Sequence, residues 1–480
     1  MASTWQFVDS IGSSPTVRLD LNTLTGIFLA EDPEVSPPTL RRVTVSSMLL
    51  DGQRIPASAY DNRMITLKLH VSATTADLLA TSLQNLAREL QRPEGNFLRV
   101  TVASNPMFFR TFPAPDAAFL IMLTKPTQST VTVQIPCEPF GYGVKEILSN
   151  VTVTNNPAAA SNGQFFDVTS PKGDVETPLD IKFANGTAGF GATGRLRSAL
   201  AVRRRGTVAN VPFFLQAEAM TMGTNAAIQA TNAAFSGATN NFVKVTPGTT
   251  TMVSRLTTTT KFPSTASTDA RGTYRAFMRL RQATGTDVWD VRLNYGSSSV
   301  QYVGDTVRCP TDVGAGAPTL KYIDLGLIPI PVGYDPVNDG LSGVAYAAEG
   351  LYFDFQAARV SGTGTLDLDV LVLLPADDRL EFIKFPEVQN FSTDTFTAVG
   401  GPAASVYCLN TSNQVSPVQA IEIGGSGLMI TPGRTNRVYY MRDVGTGTSL
   451  TGSGDSITAT AVLTPSYYPR YLFPLKPVST

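Results

Sequence analysis

Along most of this chain apolar and polar residues alternate with a period of two, the pattern of strands that bury one face. Met64-Ile65-Thr66-Leu67-Lys68-Leu69, Phe97-Leu98-Arg99-Val100, Phe108-Phe109-Arg110-Thr111-Phe112 and Val131-Thr132-Val133-Gln134-Ile135 all read this way. One stretch departs from it. Between Thr74 and Val100, Leu79, Leu83, Leu86 and Leu90 recur at the spacing of one helical face, and Leu78 widens the stripe. The spacing predicts a helix over 75–91, with Thr74 as N-cap, Asp77 in the first turn and Arg92-Pro93-Glu94-Gly95 as the stop. A lone helix with one apolar stripe must bury it, and the alternating stretches beside it offer a sheet. Residues 1–145 therefore predict a β-sandwich with one covering α-helix.

Strand-like stretches continue on both sides. Ile27 to Ala30 and Val43 to Leu50 flank a bend at Pro37-Pro38, and Asp51-Gly52 before Gln53-Arg54-Ile55 is a two-residue hairpin signal. Ala118 to Leu123 adds a strand before the unit closes at Pro136-Cys137-Glu138-Pro139-Phe140-Gly141-Tyr142-Gly143. From 150 to 162 the chain turns small and polar. New strands begin at Gly163 to Val168 and Lys172 to Ile181, and others read at Gly272 to Arg281, Tyr322 to Gly326, Leu366 to Pro375, Leu380 to Phe385, Val418 to Ile423, Leu428 to Tyr440 and Ile457 to Leu463.

The ordered set in residues 40 to 145 resembles the N-terminal domain of the distal and minor tail proteins of long-tailed, siphovirus-type bacteriophages. It comprises the Leu-rich helix, its Pro/Gly stop, Asn105-Pro106-Met107-Phe108-Phe109-Arg110-Thr111-Phe112, a strand, and Ile135 to Gly143. Lys172 to Ile181 is similar to the opening of that family's second, galectin-like domain, and Thr431-Pro432-Gly433 through Asn436 and Val438 to a turn and strand near its end. Between them, Ala217-Glu218, then Gly272, Tyr274 and Arg279, then Leu366 to Pro375, resemble in order a jelly-roll carbohydrate-binding module. The resemblance implies a mainly β fold of several sandwiches in three units. They are a tail-ring domain at 1–145, a galectin-like sandwich split between 146–212 and 379–480, and an inserted jelly roll at 213–378.

That family implies a structural component of the virion tail, not an enzyme, assembled in the host cytoplasm. The expected partners are copies of the same chain in a ring, a hexamer in the family, together with the tail tube protein and the tail tip or hub proteins. Phe108, Phe109, Phe112, Phe140 and Tyr142 are expected at or near the ring. The inserted unit would project outward to host cell-wall polysaccharide. The alternatives from other classes are a lectin-like adhesin and a polysaccharide depolymerase.

Composition narrows the partners. Lys and Arg total 37 against 38 for Asp and Glu, so no overall field invites nucleic acid or an anionic membrane. Cys137, Cys309 and Cys408 are too far apart for a CxxC metal site and too few for a disulfide framework. MASTWQFVDS has no basic stretch followed by an apolar one, and no run reaches about 18 apolar residues, so neither the usual secretion route nor membrane insertion is expected.

The candidate chemistry is thin. Gly189-Phe190-Gly191-Ala192-Thr193-Gly194 is a full GxGxxG, but Ala184 to Ala188 separate it from the preceding strand and no strand-helix alternation follows, so a loop between strands is expected. His70, the single histidine, falls opposite Leu69 on its strand and leaves no multi-histidine metal site and no ready base for a nucleophile. Asp305, Asp324, Asp335, Asp339, Glu349 and Asp354 are the carboxylates a glycosidase would draw on, and surface acids are the plainer reading. Arg203-Arg204-Arg205 reads as a solvated strand edge. Trp289, Tyr295, Tyr302 and Tyr352 are the candidates for a carbohydrate-binding platform, since sugar rings stack on aromatic faces, but Trp289 and Val291 at spacing two read as facing the jelly-roll core. No cofactor is expected. Glu218 and Asp369 stand where the carbohydrate-module resemblance places ligands of a structural calcium, a cation that takes oxygen donors.

Overall fold

The computed structural model describes residues 3–22, 26–46, 53–93, 95–102, 104–114, 119–154, 165–185, 195–204, 213–230, 235, 241–248, 250–258, 272–284, 286–296, 301–309, 320–330, 351–376, 380–385, 395–401, 403–409, 412, 414–417, 422–424, 427–445 and 460–472. The fold is mainly β, built from several antiparallel sandwich sheets with a single α-helix among the described residues.

Six sheets form three facing pairs, and a separate hairpin stands apart. Sheet I runs in the order Val17–Asp20, Ser3–Val8, Phe97–Val102, Asn105–Arg110, Gly141–Tyr142, Arg470–Tyr471. Sheet II runs Phe119–Lys125, Gln128–Cys137, Arg63–Ser72, Ile27–Leu29, with Glu34–Val35 also on Arg63–Ser72. Strict alternation along Arg63–Ser72 buries Ile65, Leu67, Leu69 and Val71 and turns Thr66, Lys68 and His70 outward. Sheet I answers with Trp5, Phe7, Leu98, Val100 and Phe109 in the same core.

Helix α1 (Ala76–Leu90) closes this core over Arg63–Ser72, Gln128–Cys137 and Val17–Asp20. Leu79, Leu86 and Leu90 are buried and Leu83 is partly so, as the spacing predicts. Leu78, expected to widen the stripe, is 52% exposed, because it lies a hundred-degree step off the buried face. The N-cap is Thr75, not Thr74. Thr75 has extended dihedrals and its hydroxyl accepts from the Leu78 amide at 3.2 Å. At the far end Asn96 donates to the Glu89 carbonyl at 2.7 Å, and Gly95 turns the chain with a φ of 63°.

Sheets III and IV draw their strands from both sides of the inserted segment. Sheet III joins Glu146–Ile147, Thr460–Tyr467, Thr177–Asn185, Thr395–Val399, Ser405–Leu409 and Val415–Pro417. Sheet IV joins Phe165–Val168, Asn436–Gly445, Arg195–Arg204, Leu380–Phe385 and Glu422–Gly424. Ile181, Phe183, Val438, Leu463 and Ile383 meet in one core between them. Arg195–Arg204 is a central strand of this sheet, so Arg203 and Arg204 do not guard an edge. Arg203 stands between Glu381 and Val438 in register.

Sheets V and VI come wholly from residues 213–375. Sheet V centres on Leu366–Pro375 between Gly272–Gln282 and Phe242–Val245, and sheet VI on Tyr352–Ser361 between Val288–Gly296 and Val253–Thr257. The core between them holds Trp289, Val291, Leu293, Phe353, Phe355, Leu371 and Leu373. This unit does not simply project. The outer face of sheet V packs Phe277, Val370, Val372 and Leu374 against Tyr439 and Phe165 of sheet IV.

The chain end does something alternation cannot announce. Arg470–Tyr471 leaves the split sandwich and becomes the last strand of sheet I, paired with Gly141–Tyr142. Arg63, buried, fixes this return by donating to the carbonyls of Pro139 and Leu472, each at 2.8 Å. Burial pulls the pKa of its guanidinium down to about 10.

Candidate assembly interface

An exposed apolar feature lies in the N-terminal unit, at the edge of sheet II. Phe119–Lys125 pairs on one side only, with Gln128–Cys137. Its register sets Ile121 opposite Val131 and Leu123 opposite Ser129, on the face that elsewhere in the sheet is core. Ile121 is 42%, Met122 60% and Leu123 72% exposed.

Beside this strand runs a groove of about 490 Å³ between α1 and the turn into Gln128–Cys137, lined by Leu79, Leu83, Leu123 and Pro126 among others. The helix stripe supplies one wall and the sheet edge the other. Edge strands in stable monomers are blunted by charge, proline or a bulge. Here only Lys125 and an irregularity between Leu123 and Lys125 serve, at the strand's end. An open edge with an apolar flank can add a strand from a partner, the backbone giving affinity and the groove selectivity.

The aromatic set expected near a ring divides. Phe108 and Phe109 are fully buried core residues. Phe140 and Tyr142 instead hold the returning chain end, with the Arg470 guanidinium 5.3 Å from one ring and 5.8 Å from the other. The Tyr142 hydroxyl donates to Glu138 at 2.6 Å, and burial first, then the Glu138 charge, pushes its pKa up. Phe112 alone of the five is exposed, at 37%.

The four aromatic residues expected to stack on sugar do not form one platform. Trp289 is fully buried between sheets V and VI, which overturns its role as a surface ring. Tyr295 and Tyr302 are cross-strand partners with ring centroids 5.8 Å apart, and Tyr302 is 68% exposed. Tyr352 pairs with Gly296, one residue on from Tyr295, so the period of two sends it to the opposite face. Trp289 lies at one end of its strand and Tyr295, Tyr302 and Tyr352 gather at the other.

The two residues expected to hold calcium differ in their surroundings. The Asp369 carboxylate, fully buried, is bound by the Arg279 guanidinium, so its charge is met within the protein. Asp367 pairs in the same way with Arg281. Glu218 caps no such partner. It is partly buried, its Oε2 is sealed from water without a hydrogen bond, and burial, with Asp369 nearby, raises its pKa. Among the described residues no group of three or more His, Cys, Asp or Glu side chains gathers as a metal site would need.

The other motifs settle in ordinary places. Gly189 to Gly194 lie outside the described residues, and the residues after them form the strand Arg195–Arg204, not the helix a dinucleotide site requires. His70 is half-buried on the outer face of sheet II, its ring 5.0 Å from that of Phe28. Asp324 is paired with Arg275 at 2.5 Å, Asp354 is buried, Asp305 is exposed, and Asp335, Asp339 and Glu349 lie outside the described residues. Cys137 and Cys309 are buried and in no disulfide, and burial raises the pKa of Cys137. No helix among the described residues is long and apolar enough to cross a membrane.

No protein-family model matches the chain, and no curated protein matches it. Among solved structures it is similar to the Dit (gp 19.1) protein of phage SPP1, described as a paradigm of the hub adsorption apparatus in phages infecting Gram-positive hosts. That likeness has 8% identity and a TM-score of 0.34 over 98% of this chain and 99% of the other. A chain of the phage P2 baseplate in its activated conformation with calcium is 8% identical with a TM-score of 0.28, covering 74% of this chain and 98% of its own. A chain of infectious bursal disease virus, Gx strain, is 8% identical with a TM-score of 0.16, covering 68% and 81%.

Proposed function

We infer that this chain is a structural component of a bacteriophage tail tip, working by joining copies of itself into a ring between the tail tube and the tip proteins. The observation that carries this reading is the edge strand Phe119–Lys125, paired on one side only, with Ile121, Met122 and Leu123 exposed beside an apolar groove. Such an edge is an aggregation hazard in a free monomer and an asset in an assembly that covers it. It lies within residues 40 to 145, the stretch that carries the resemblance to tail-ring domains. The strand composition of the sheets supports three units, at 1–145, at 146–212 with 379–480, and at 213–378. The returning strand Arg470–Tyr471 ties the first unit to the second.

Light scattering and negative-stain averaging of the purified chain test the reading. Closed rings of about six copies are the expected result. A chain that remains monomeric at every concentration overturns it.

A second reading, a glycan-binding adhesin, is favoured by one observation, the exposed Tyr302 beside Tyr295. It predicts saturable binding of the whole chain to host-wall polysaccharide that Tyr302→Ala weakens about tenfold. Binding that survives the substitution counts against that pair.

A further inference from the structure

The short segment 468–472 is gripped from two sides. Toward the N-terminal unit, Tyr471 faces Gly141 and Arg470 faces Tyr142 in an antiparallel pair. Arg63 donates to the Leu472 carbonyl across 409 positions of sequence, and the Arg470 guanidinium lies against the rings of Phe140 and Tyr142. Toward the split sandwich, the Asp174 amide donates to the Arg470 carbonyl at 2.8 Å and the Leu472 amide to the Asp174 carboxylate at 3.4 Å. The Thr177 hydroxyl donates to the Tyr468 carbonyl at 2.5 Å.

The chain's other crossing between these two units, at 143–148, lies alongside. The Gly143 amide donates to the Pro469 carbonyl at 2.8 Å and the Leu148 amide to the Pro465 carbonyl at 2.9 Å. A single flexible linker lets two units move against each other, whereas two crossings hydrogen-bonded together resist it.

The fit leaves little slack on either side. Gly173 has a φ of 124°, and a Cβ there would come 2.9 Å from the Arg470 carbonyl oxygen. Arg63 is only 2% exposed. Without the Leu472 carbonyl its guanidinium would stay sealed with one acceptor fewer, which costs more than the bond's net worth. Because Arg63 opens the strand Arg63–Ser72, that loss reaches sheet II as well as sheet I.

We propose that Gly141–Tyr142 on one edge and Gly173-Asp174-Val175 on the other form a binding site for an extended strand. Its ligand is this chain's own Tyr468-Pro469-Arg470-Tyr471-Leu472, and filling the site couples the N-terminal unit to the split sandwich as one cooperative body. The aromatic pair Phe140 and Tyr142 selects the arginine, and the Gly143 amide reads the carbonyl of the proline before it. A chain that stops short of this segment leaves sheet I with a bare edge and Arg63 short of an acceptor, so the first unit is finished only by residues made far later. The clasp acts within one copy and does not depend on the ring reading.

Hydrogen exchange read by mass spectrometry on the full chain tests the coupling. The Gly173→Ala methyl would meet Arg470 and Pro432, neither of them in the N-terminal unit. The substitution should nevertheless speed exchange about tenfold over residues 63–66 and 138–143, with residues 436–445 exchanging at the parental rate. A second variant, ending at Tyr467, should show the same change. The peptide of residues 468–472, added at about 1 mM, should reverse it saturably, and the peptide carrying Arg470→Ala should not. Parental exchange over 63–66 and 138–143 in the Gly173→Ala chain overturns the coupling. A shortened chain left unchanged by the parental peptide overturns the site.

Discussion

Two stretches of this chain read alike and end differently. Val370-Leu371-Val372-Leu373-Leu374 and Phe119-Leu120-Ile121-Met122-Leu123 are both unbroken apolar runs within antiparallel sheets. An unbroken run is the mark of a strand covered on both faces. The first is so covered. Leu371 and Leu373 enter the core between sheets V and VI, while Val370, Val372 and Leu374 meet Phe277 and Tyr439 on the other side. The second lies at an edge with Ile121, Met122 and Leu123 in the open. The contrast teaches that the first run finds its cover in strands from elsewhere in the chain, while the second leaves three of its side chains open.

The comparison is broken most directly by placing a charge on each run. Val372→Asp, between Phe214 and Phe277 in register, should cost about 3–5 kcal/mol, because an uncompensated charge is buried. A thermal melt that barely moves would show that the outer face of sheet V is not closed by sheet IV. Leu86→Ala in α1 removes a fully buried side chain that closes the helix over sheet II. Chemical denaturation should register a loss of about 2–5 kcal/mol.

Glu218 stands between the covered and open cases, and the sign of its effect follows from its raised pKa. A carboxyl with a folded-state pKa above its ordinary value favours folding below that value, and the benefit is lost as pH rises past the raised one. The Glu218→Gln variant should therefore melt above its parent at neutral pH. The two should converge below the ordinary glutamate value of 4.5. Equal melting temperatures across that range would remove burial as the cause.

The smallest effect on the monomer is expected at the open edge. Leu123→Lys should change monomer stability by no more than about 0.5 kcal/mol, since the side chain is largely in water already. Its effect should appear in sedimentation, as loss of self-association. A destabilised monomer would mean that Leu123 is covered in solution by its own chain.

Local pattern alone determined much of this protein. Period two along residues 63–72 and 128–137 set their faces, and the leucine spacing set α1, because a side chain's direction on a strand or helix follows from backbone geometry. The positions of many strands along the chain were legible as well. Which face each strand turned to a neighbour was not. Tyr352 parted from Tyr295 because sheet pairing, not sequence distance, decides which aromatic rings meet. The Arg279 and Asp369 pair came from residues 90 positions apart, as did no spacing signal. Only the tertiary structure decided that Arg470–Tyr471 returns to sheet I and that one of two matching apolar runs is left bare, because coverage is set by what folds over a strand from elsewhere in the chain.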